Sequence, residues 1–405
     1  MIWQVIHIVD ILLWLLLAGS VGYVVFFAIA LLFGRKPSAV SSVRQPGDPS
    51  PRRYLIIIPA YHEDAVIRQS VSSVLSQTFP QQQYCLIVVS DNMSAETNTW
   101  LAAQSLVLLQ PSFEKSSKAK ALQQAIEHAA NAAESFTHVV ILDADNLVRP
   151  DFLQQLDAVC AQGYKAIQCH RTAKNADNDI AALDGLSEEI NNTLFRRAHN
   201  VIGLSSALIG SGMCFDYGWF SENVSHLNSA VEDRELESML MRQRVFVKYE
   251  ETICVMDEKV SSQDNFKRQR MRWMTGQLQT LLLMLPYLPK ALLTGNLDYV
   301  DKTIQQMLIP RSILLMLTTL LALLFTAVYC FAPAATGLSL LTSLKWWLLL
   351  ALLGLSLLVA IPSRLRTTAL LQRLTSLPRL VWSMLGNLVH IDKNNKDFIH
   401  TTHNK

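Results

Sequence analysis

Three long stretches of this chain carry no charge, and they set its layout. Ile11 to Phe33, Ser312 to Leu344 and Trp346 to Ser363 contain no Asp, Glu, Lys or Arg. A membrane-spanning helix needs roughly 17–25 predominantly apolar residues, and each stretch can supply one. Pro333 and Gly337 interrupt the second stretch, so its helix is expected to end near Phe331 and to form a hairpin with the third. The first stretch lacks a basic segment ahead of it, and Arg35 and Lys36 follow it rather than small residues. It therefore reads as a retained anchor and not as a cleaved signal.

Between the first and second stretches the pattern changes. Leu55 to Ile58, Leu86 to Val89, Leu106 to Leu109 and Val139 to Leu142 are short continuous apolar runs, as expected of parallel strands covered on both faces. Ala65 to Leu75 and Lys118 to Ala133 have helical character. This alternation predicts an α/β fold with a doubly wound sheet. Ligands of such sheets sit at the carboxyl ends of the strands. Those ends read Pro59-Ala60-Tyr61-His62-Glu63, Ser90-Asp91-Asn92 and Asp143-Ala144-Asp145, which gathers carboxylates where a ligand would bind.

Composition sharpens the membrane reading. Half of the 405 residues (50%) are hydrophobic and the mean hydropathy is +0.23, an excess that the spanning stretches explain. Arg35, Lys36, Arg44, Arg52 and Arg53 follow the first stretch, Arg311 precedes the second, and Arg364, Arg366, Arg373 and Arg379 follow the third. Residues 1 to 10 and the linker near 333 to 344 hold neither Lys nor Arg, with Lys345 at the linker's end. The bias predicts an amino terminus outside, with the block from about 34 to 310 and the tail in the cytoplasm of an inner or plasma membrane. No basic tract points to nucleic acid, and a formal net charge of +2 says little by itself. The cysteines at 85, 160, 169, 214, 254 and 330 show no metal spacing, and in a reducing cytoplasm all are expected as core residues without disulfides.

The polar motifs carry the chemistry. Asp143 and Asp145, two residues apart at a strand end, suit a hard divalent cation, and Mg²⁺ or Mn²⁺ typically bridges few protein oxygens to substrate phosphates. A phosphoryl-transfer site with an Asp nucleophile would want a hydroxyl shortly afterwards, and Asn146-Leu147-Val148 supplies none. Glu232 and Asp233 open a helical run with a stripe of Leu236, Met239 and Leu240, which places both acids at the positive end of the helix dipole. There they serve as caps, or one is a general base for a sugar hydroxyl. Gly210-Ser211-Gly212 is a turn where backbone can approach a ligand closely, which makes Ser211 an acceptor-side candidate. Within Gln269-Arg270-Met271-Arg272-Trp273, helical spacing puts Gln269, Arg272 and Trp273 on one face. An amide and a guanidinium hold phosphate oxygens, and an indole offers a sugar ring a platform.

In this order, Ile58-Pro59-Ala60 with Glu63, Ser90-Asp91, Lys118, Asp143-Ala144-Asp145, Gly210-Ser211-Gly212, Glu232-Asp233 and Gln269 to Trp273 resemble the membrane-integrated family 2 glycosyltransferases, the group of cellulose, chitin and hyaluronan synthases. The resemblance covers roughly residues 50 to 405. It implies a sheet of the GT-A type, with Ala60, Glu63 and Asp91 lining a uridine pocket and Lys118 approaching the diphosphate. Asp143 would contact the nucleotide sugar, and Asp145 would hold the metal. Asp233 would be the general base, with Glu232 beside it toward the acceptor; Val231 stands where the family's motif has Thr. Gln269 and Arg272 would bind the diphosphate, and Trp273 would floor the acceptor site. Near the carboxyl end, Phe398 and Thr401 match a gating loop that closes on the donor, whereas His400 and His403 depart from it.

The resemblance implies an inverting, metal-dependent transfer of a hexose or N-acetylhexosamine from a UDP-sugar to a growing polysaccharide. Three spans are too few to enclose a polymer, so a further copy of the chain or an export partner would complete the pore, or a lipid receives a single sugar. A noncatalytic membrane scaffold is the remaining alternative, and the intact acids argue against it. The expected layout is an anchor at 1–34, a catalytic domain at 50–275, interface helices at 276–310, a spanning hairpin at 311–363 and an amphipathic, gating-loop-like tail at 364–405.

Overall fold

The computed structural model describes residues 2–34, 51–132, 135–229, 231–331 and 340–376. Eight strands are β1 (Tyr54–Tyr61), β2 (Tyr84–Asp91), β3 (Val107–Leu109), β4 (His138–Ile141), β5 (Leu147–Val148), β6 (Ala166–Ala173), β7 (Met213–Asp216) and β8 (Val247–Asp257). They form one sheet in the order β3-β2-β1-β4-β7-β6-β8-β5. The four apolar runs seen in the sequence are β1 to β4, and they pair in parallel. Leu55, Ile57, Ile87, Val89, Val139 and Ile141 pack on one face with the Lys118–Asn131 helix. Tyr54, Ile56, Ile58, Leu86, Val88 and Val140 pack on the other with the Ile67–Leu75 and Phe152–Cys160 helices. Strand side chains alternate between faces, and with both faces covered every position must be apolar, hence the unbroken runs.

The other half of the sheet is mixed. β7 runs antiparallel to β4 and β6, and β5 antiparallel to β8, whereas β6 and β8 are parallel with a register shift between Cys169 and His170. No apolar run announces these strands. β6 carries Gln168, His170 and Arg171, and β8 carries Glu250 and Asp257, because both feed polar groups to buried networks.

Three helices are long and apolar enough to cross a membrane: Gln4–Phe33 within the Ile2–Phe33 helix, Arg311–Phe331 and Leu340–Ala360. Asp10 ties the first to the third. It is buried, forms an ion pair with Lys345, and accepts a 2.8 Å hydrogen bond from Trp346 Nε1. The Asp179–Asn191 helix continues into a π-helical turn, Asn192–Arg197, and packs Leu183, Leu186, Ile190 and Leu194 against Leu17, Val24, Leu314 and Leu353 of the spanning helices. The sheet domain and the three candidate membrane helices therefore share an apolar seam. At the end of the Gln263–Met284 helix and beyond it, Leu282, Leu283, Leu292 and Leu293 remain exposed and give this segment an apolar surface.

One cysteine departs from expectation. Cys160, Cys169 and Cys214 are buried and Cys85 and Cys254 half-buried, but Cys330 is exposed, because it stands on the outer face near the end of a spanning helix rather than in a protein core. Cys160 and Cys214 approach to 3.8 Å between sulfurs as free thiols. The gating-loop match, Thr401 included, and most of the tail helix expected through His390 lie outside the described residues.

Candidate active site

β1 and β2 leave the sheet through residues held in the left-handed region, His62 at φ 56° and Asn92 at φ 55°. Non-glycine residues enter that region at some energetic cost, and such turns cluster where loops must be aimed. Here they place Ala60, Glu63 and Asp91 along one wall of a cavity of about 770 Å³. Asp91 is buried, and Asn92 Nδ2 donates to its Oδ1 at 3.1 Å.

β4 delivers the acidic pair, and its loop is clamped at both ends. Asn146, fully buried, accepts from the Asp143 backbone at 3.0 Å and donates to Asp145 Oδ1 at 3.0 Å. The backbone N–H of Glu258, just past β8, donates to Asp145 Oδ2 at 2.9 Å. β5 pairs with β8 immediately after, with Leu147 opposite Met256, which keeps this loop against the strand end.

Lys118 opens its helix one residue after Ser117, whose hydroxyl accepts from the Lys120 N–H at 3.2 Å as an N-cap. The ammonium reaches Asp143 Oδ1 at 2.5 Å, the Gly210 carbonyl at 2.6 Å and Glu232 Oε1 at 3.5 Å. Burial works against its charge, yet Asp143 and Glu232 outweigh burial and hold Lys118 above its ordinary pKa. Asp143 shows the converse: burial would raise its pKa, and Lys118 outweighs burial and lowers it. Glu232 has no such dominant partner, and burial pushes it up to about 7, opposed by Lys118 and reinforced by Asp233 and Asp143.

Glu232 and Asp233 occupy the first turn of the Glu232–Arg242 helix, as the sequence predicts. Leu236 and Leu240 are buried beneath them with Met241, while Met239 is only half-buried. Asp233 faces the glycine turn. A Cβ at Gly210, which has φ 81°, would lie 3.6 Å from Asp233 Oδ2 and 3.9 Å from Lys118 Nζ. Gly210 lines the cavity, whereas Ser211 is fully buried and does not. Ser211, the acceptor-side candidate, is thus placed behind the turn's backbone.

The Gln263–Met284 helix brings Gln269, Arg272 and Trp273 to the same cavity. Gln269 Oε1 is buried without a hydrogen-bond partner among the described residues. Arg270, whose place in the motif gives no sign of a role, lies 4.5 Å from the Trp273 ring centroid and pairs with Asp184. One face of the indole is thus already covered by a guanidinium. The helix is seated by close contact, since Gly276 packs directly on Val231.

Behind these lies a buried ionic layer. Arg171 contacts Asp257 at 3.3 Å and Glu188 at 3.5 Å, and Arg196 Nη1 donates to Glu188 at 2.9 Å. Burial works to raise the pKa of Glu188, but Arg196 and Arg171 hold it down at about 2. These residues sit on strands and a helix without apolar signatures. Only their charge within otherwise buried segments could have marked them.

Whether the site suits a divalent metal depends on its oxygens. Among the described residues no three His, Cys, Asp or Glu side chains converge as a metal cage. Asp145 offers a hard carboxylate, held by hydrogen bonds from Asn146 Nδ2 and the Glu258 N–H, of the kind a cation completed by substrate oxygens takes. The residues fit a metal shared with a diphosphate.

Among solved structures, the chain is similar to the mannosyltransferase PcManGT from Pyrobaculum calidifontis, solved in complex with GDP-Man and Mn²⁺. The two are 16% identical with a TM-score of 0.54, over 93% of this chain and 98% of that one. TarS from S. aureus, residues 1–349, is 13% identical with a TM-score of 0.39, over 83% and 88%. No curated protein matches the chain. The fold is that of GT-A glycosyltransferases joined to three candidate membrane helices. The family model described as "Glycosyltransferase like family 2" matches residues 51–276, more than half of the chain, and the protein belongs to that family.

Proposed function

We propose that the protein is an inverting glycosyltransferase that takes a hexose or N-acetylhexosamine from a nucleoside diphosphate sugar, a UDP-sugar by its resemblance to the synthases. The observation that carries this reading is the convergence of Lys118, Asp143, Asp145, Glu232, Asp233, Gln269, Arg272 and Trp273 on one cavity. Residues 51–276 act as the catalytic domain, on the cytoplasmic face if the charge bias sets the orientation.

Ala60, Glu63 and Asp91 line the end of the cavity formed by β1 and β2 and receive the nucleoside. Gln269, whose Oε1 is buried without a partner among the described residues, lines the cavity with Arg272, whose guanidinium is matched to a diphosphate. Asp145 would hold Mg²⁺ or Mn²⁺, which would neutralise charge on the departing diphosphate. The complex of PcManGT with GDP-Man and Mn²⁺ supports such a pairing. Asp233 removes the proton from an acceptor hydroxyl, whose oxygen bonds to the anomeric carbon as the bond to the diphosphate oxygen breaks. The electron pair leaves with the diphosphate, which Lys118 and Arg272 receive. Configuration inverts in a single displacement.

In Asp233→Asn, transfer is expected to fall about 100- to 10,000-fold while donor binding persists, because the base is lost and the shape kept. Binding is measured with labelled nucleotide sugar and turnover by release of nucleotide diphosphate. Retained turnover overturns the assignment of Asp233.

A further inference from the structure

The cavity does not end at the proposed donor site. Residues of all three candidate spanning helices also line it, and Val24, Leu186, Ile190, Leu315, Leu357 and Ile361 give it an apolar part. One cavity thus has a polar part and an apolar part.

Arg311 stands at the junction, the first residue of the second spanning helix. Its Nη2 donates to Asn191 Oδ1 at 2.6 Å and lies 3.2 Å from the Ser187 carbonyl, both neutral acceptors. Its Nη1 is buried and has no partner among the described residues. The other guanidiniums around it are neutralised: Arg171 and Arg196 by Glu188 and Asp257, and Arg270 by Asp184. Arg311 forms no ion pair among the described residues, and Phe195 lies beneath its guanidinium at 5.4 Å. A half-buried guanidinium with a buried, unpartnered nitrogen and no ion pair is costly unless an anion completes it. In a cavity that Trp273 and apolar residues of the candidate spanning helices also line, the anion that fits is a lipid phosphate.

We infer that the acceptor is a lipid carrying a sugar through a phosphate or diphosphate, with the chain among the spanning helices, the phosphate on Arg311, the sugar by the free face of Trp273 and its hydroxyl at Asp233. This deepens the transferase reading and rests on it. A free polysaccharide end carries neither the anion nor the apolar tail that these two parts of the cavity receive. The acceptor hydroxyl gives its proton to Asp233 and its oxygen to the anomeric carbon, the donor diphosphate leaves with the electron pair, and the lipid phosphate bond is untouched.

The test uses the full-length protein in nanodiscs and the nucleotide sugar from which it releases nucleotide diphosphate. Three acceptors are compared: polyprenyl-diphosphate-linked glucose or N-acetylglucosamine, the same sugars as neutral octyl glycosides, and polyprenyl phosphate without sugar. The first is expected to be used roughly 10- to 100-fold better in kcat/KM than the second, and the third not to be glycosylated. Arg311→Gln should remove most of that preference, and Arg311→Lys should restore much of it. Equal use of the first two acceptors, an equal loss with both in Arg311→Gln, or glycosylation of polyprenyl phosphate itself overturns the inference while leaving the transferase reading in place. Failure to release nucleotide diphosphate from any nucleotide sugar overturns the reading beneath it instead, and the inference with it.

Discussion

Gly276 joins the two halves of the proposed machinery, and adding one methyl group there tests the join. Built onto Gly276, a Cβ would sit 2.5 Å from Val231 Cγ1, with Val231 Cβ and Cγ2 at 3.5 and 3.6 Å. Carbon atoms in contact lie roughly 3.5–4.0 Å apart, so the two segments must separate by about 1 Å. Val231 cannot easily turn aside, because a β-branched side chain is stiff at χ1. Overpacking of this kind destabilises by about 1–3 kcal/mol. The functional effect should be larger in proportion. Val231 immediately precedes Glu232 and Asp233, while Gly276 lies less than one turn beyond Trp273, so the strain moves the base relative to the diphosphate-binding face. Displacements of about 1 Å cost about 100-fold in rate. In Gly276→Ala we expect kcat to fall by about that factor, with a lower thermal midpoint in detergent. Val231→Ala removes the Cγ1 methyl that collides, so the double variant should recover much of the rate, a coupling that a mutant cycle measures. Normal rate and midpoint in Gly276→Ala, or a double variant no better than the single, would refute the coupling.

The buried charges give two further tests. With Glu232 at about 7, raising the pH from 6 to 8 adds its negative charge beside Asp233 and Asp143. KM for the anionic donor should rise across that window, and Glu232→Gln should flatten the profile; an unchanged profile in the variant rules out Glu232 as the titrating group. The sign for stability is consistent: the folded pKa lies above the unfolded value of 4.5, so the stabilising contribution of protonated Glu232 is present below 4.5 and lost as pH rises through about 7. In the membrane bundle, Asp10→Ala strips Lys345 of its carboxylate and Trp346 Nε1 of its acceptor, and should destabilise the bundle by about 3 kcal/mol. Thermal unfolding in detergent reads this, and an unchanged midpoint would show that the pair contributes nothing.

Much of this protein is written in short patterns. Continuous apolar runs mark β1 to β4 because both faces of that half-sheet are covered, and uncharged stretches mark the three long helices because a bilayer tolerates little else. The acidic pairs and the Gln269 to Trp273 motif are legible because their spacing belongs to single strand ends or single helix faces. Other features depend on which segments meet. β6 and β8 divide their side chains between core and ionic network, so they carry no clean period. That Ser211 turns inward while Gly210 faces Asp233, or that Arg270 lies on one face of Trp273, is a matter of packing between elements far apart in the chain. Arg311 reads in sequence only as a positive charge before a span. Its lack of a counterion became visible once the fold had given Arg171, Arg196 and Arg270 to Glu188, Asp257 and Asp184. Local pattern determines what each segment is, whereas charge compensation is a sum over neighbours, and the tertiary structure alone decides who they are.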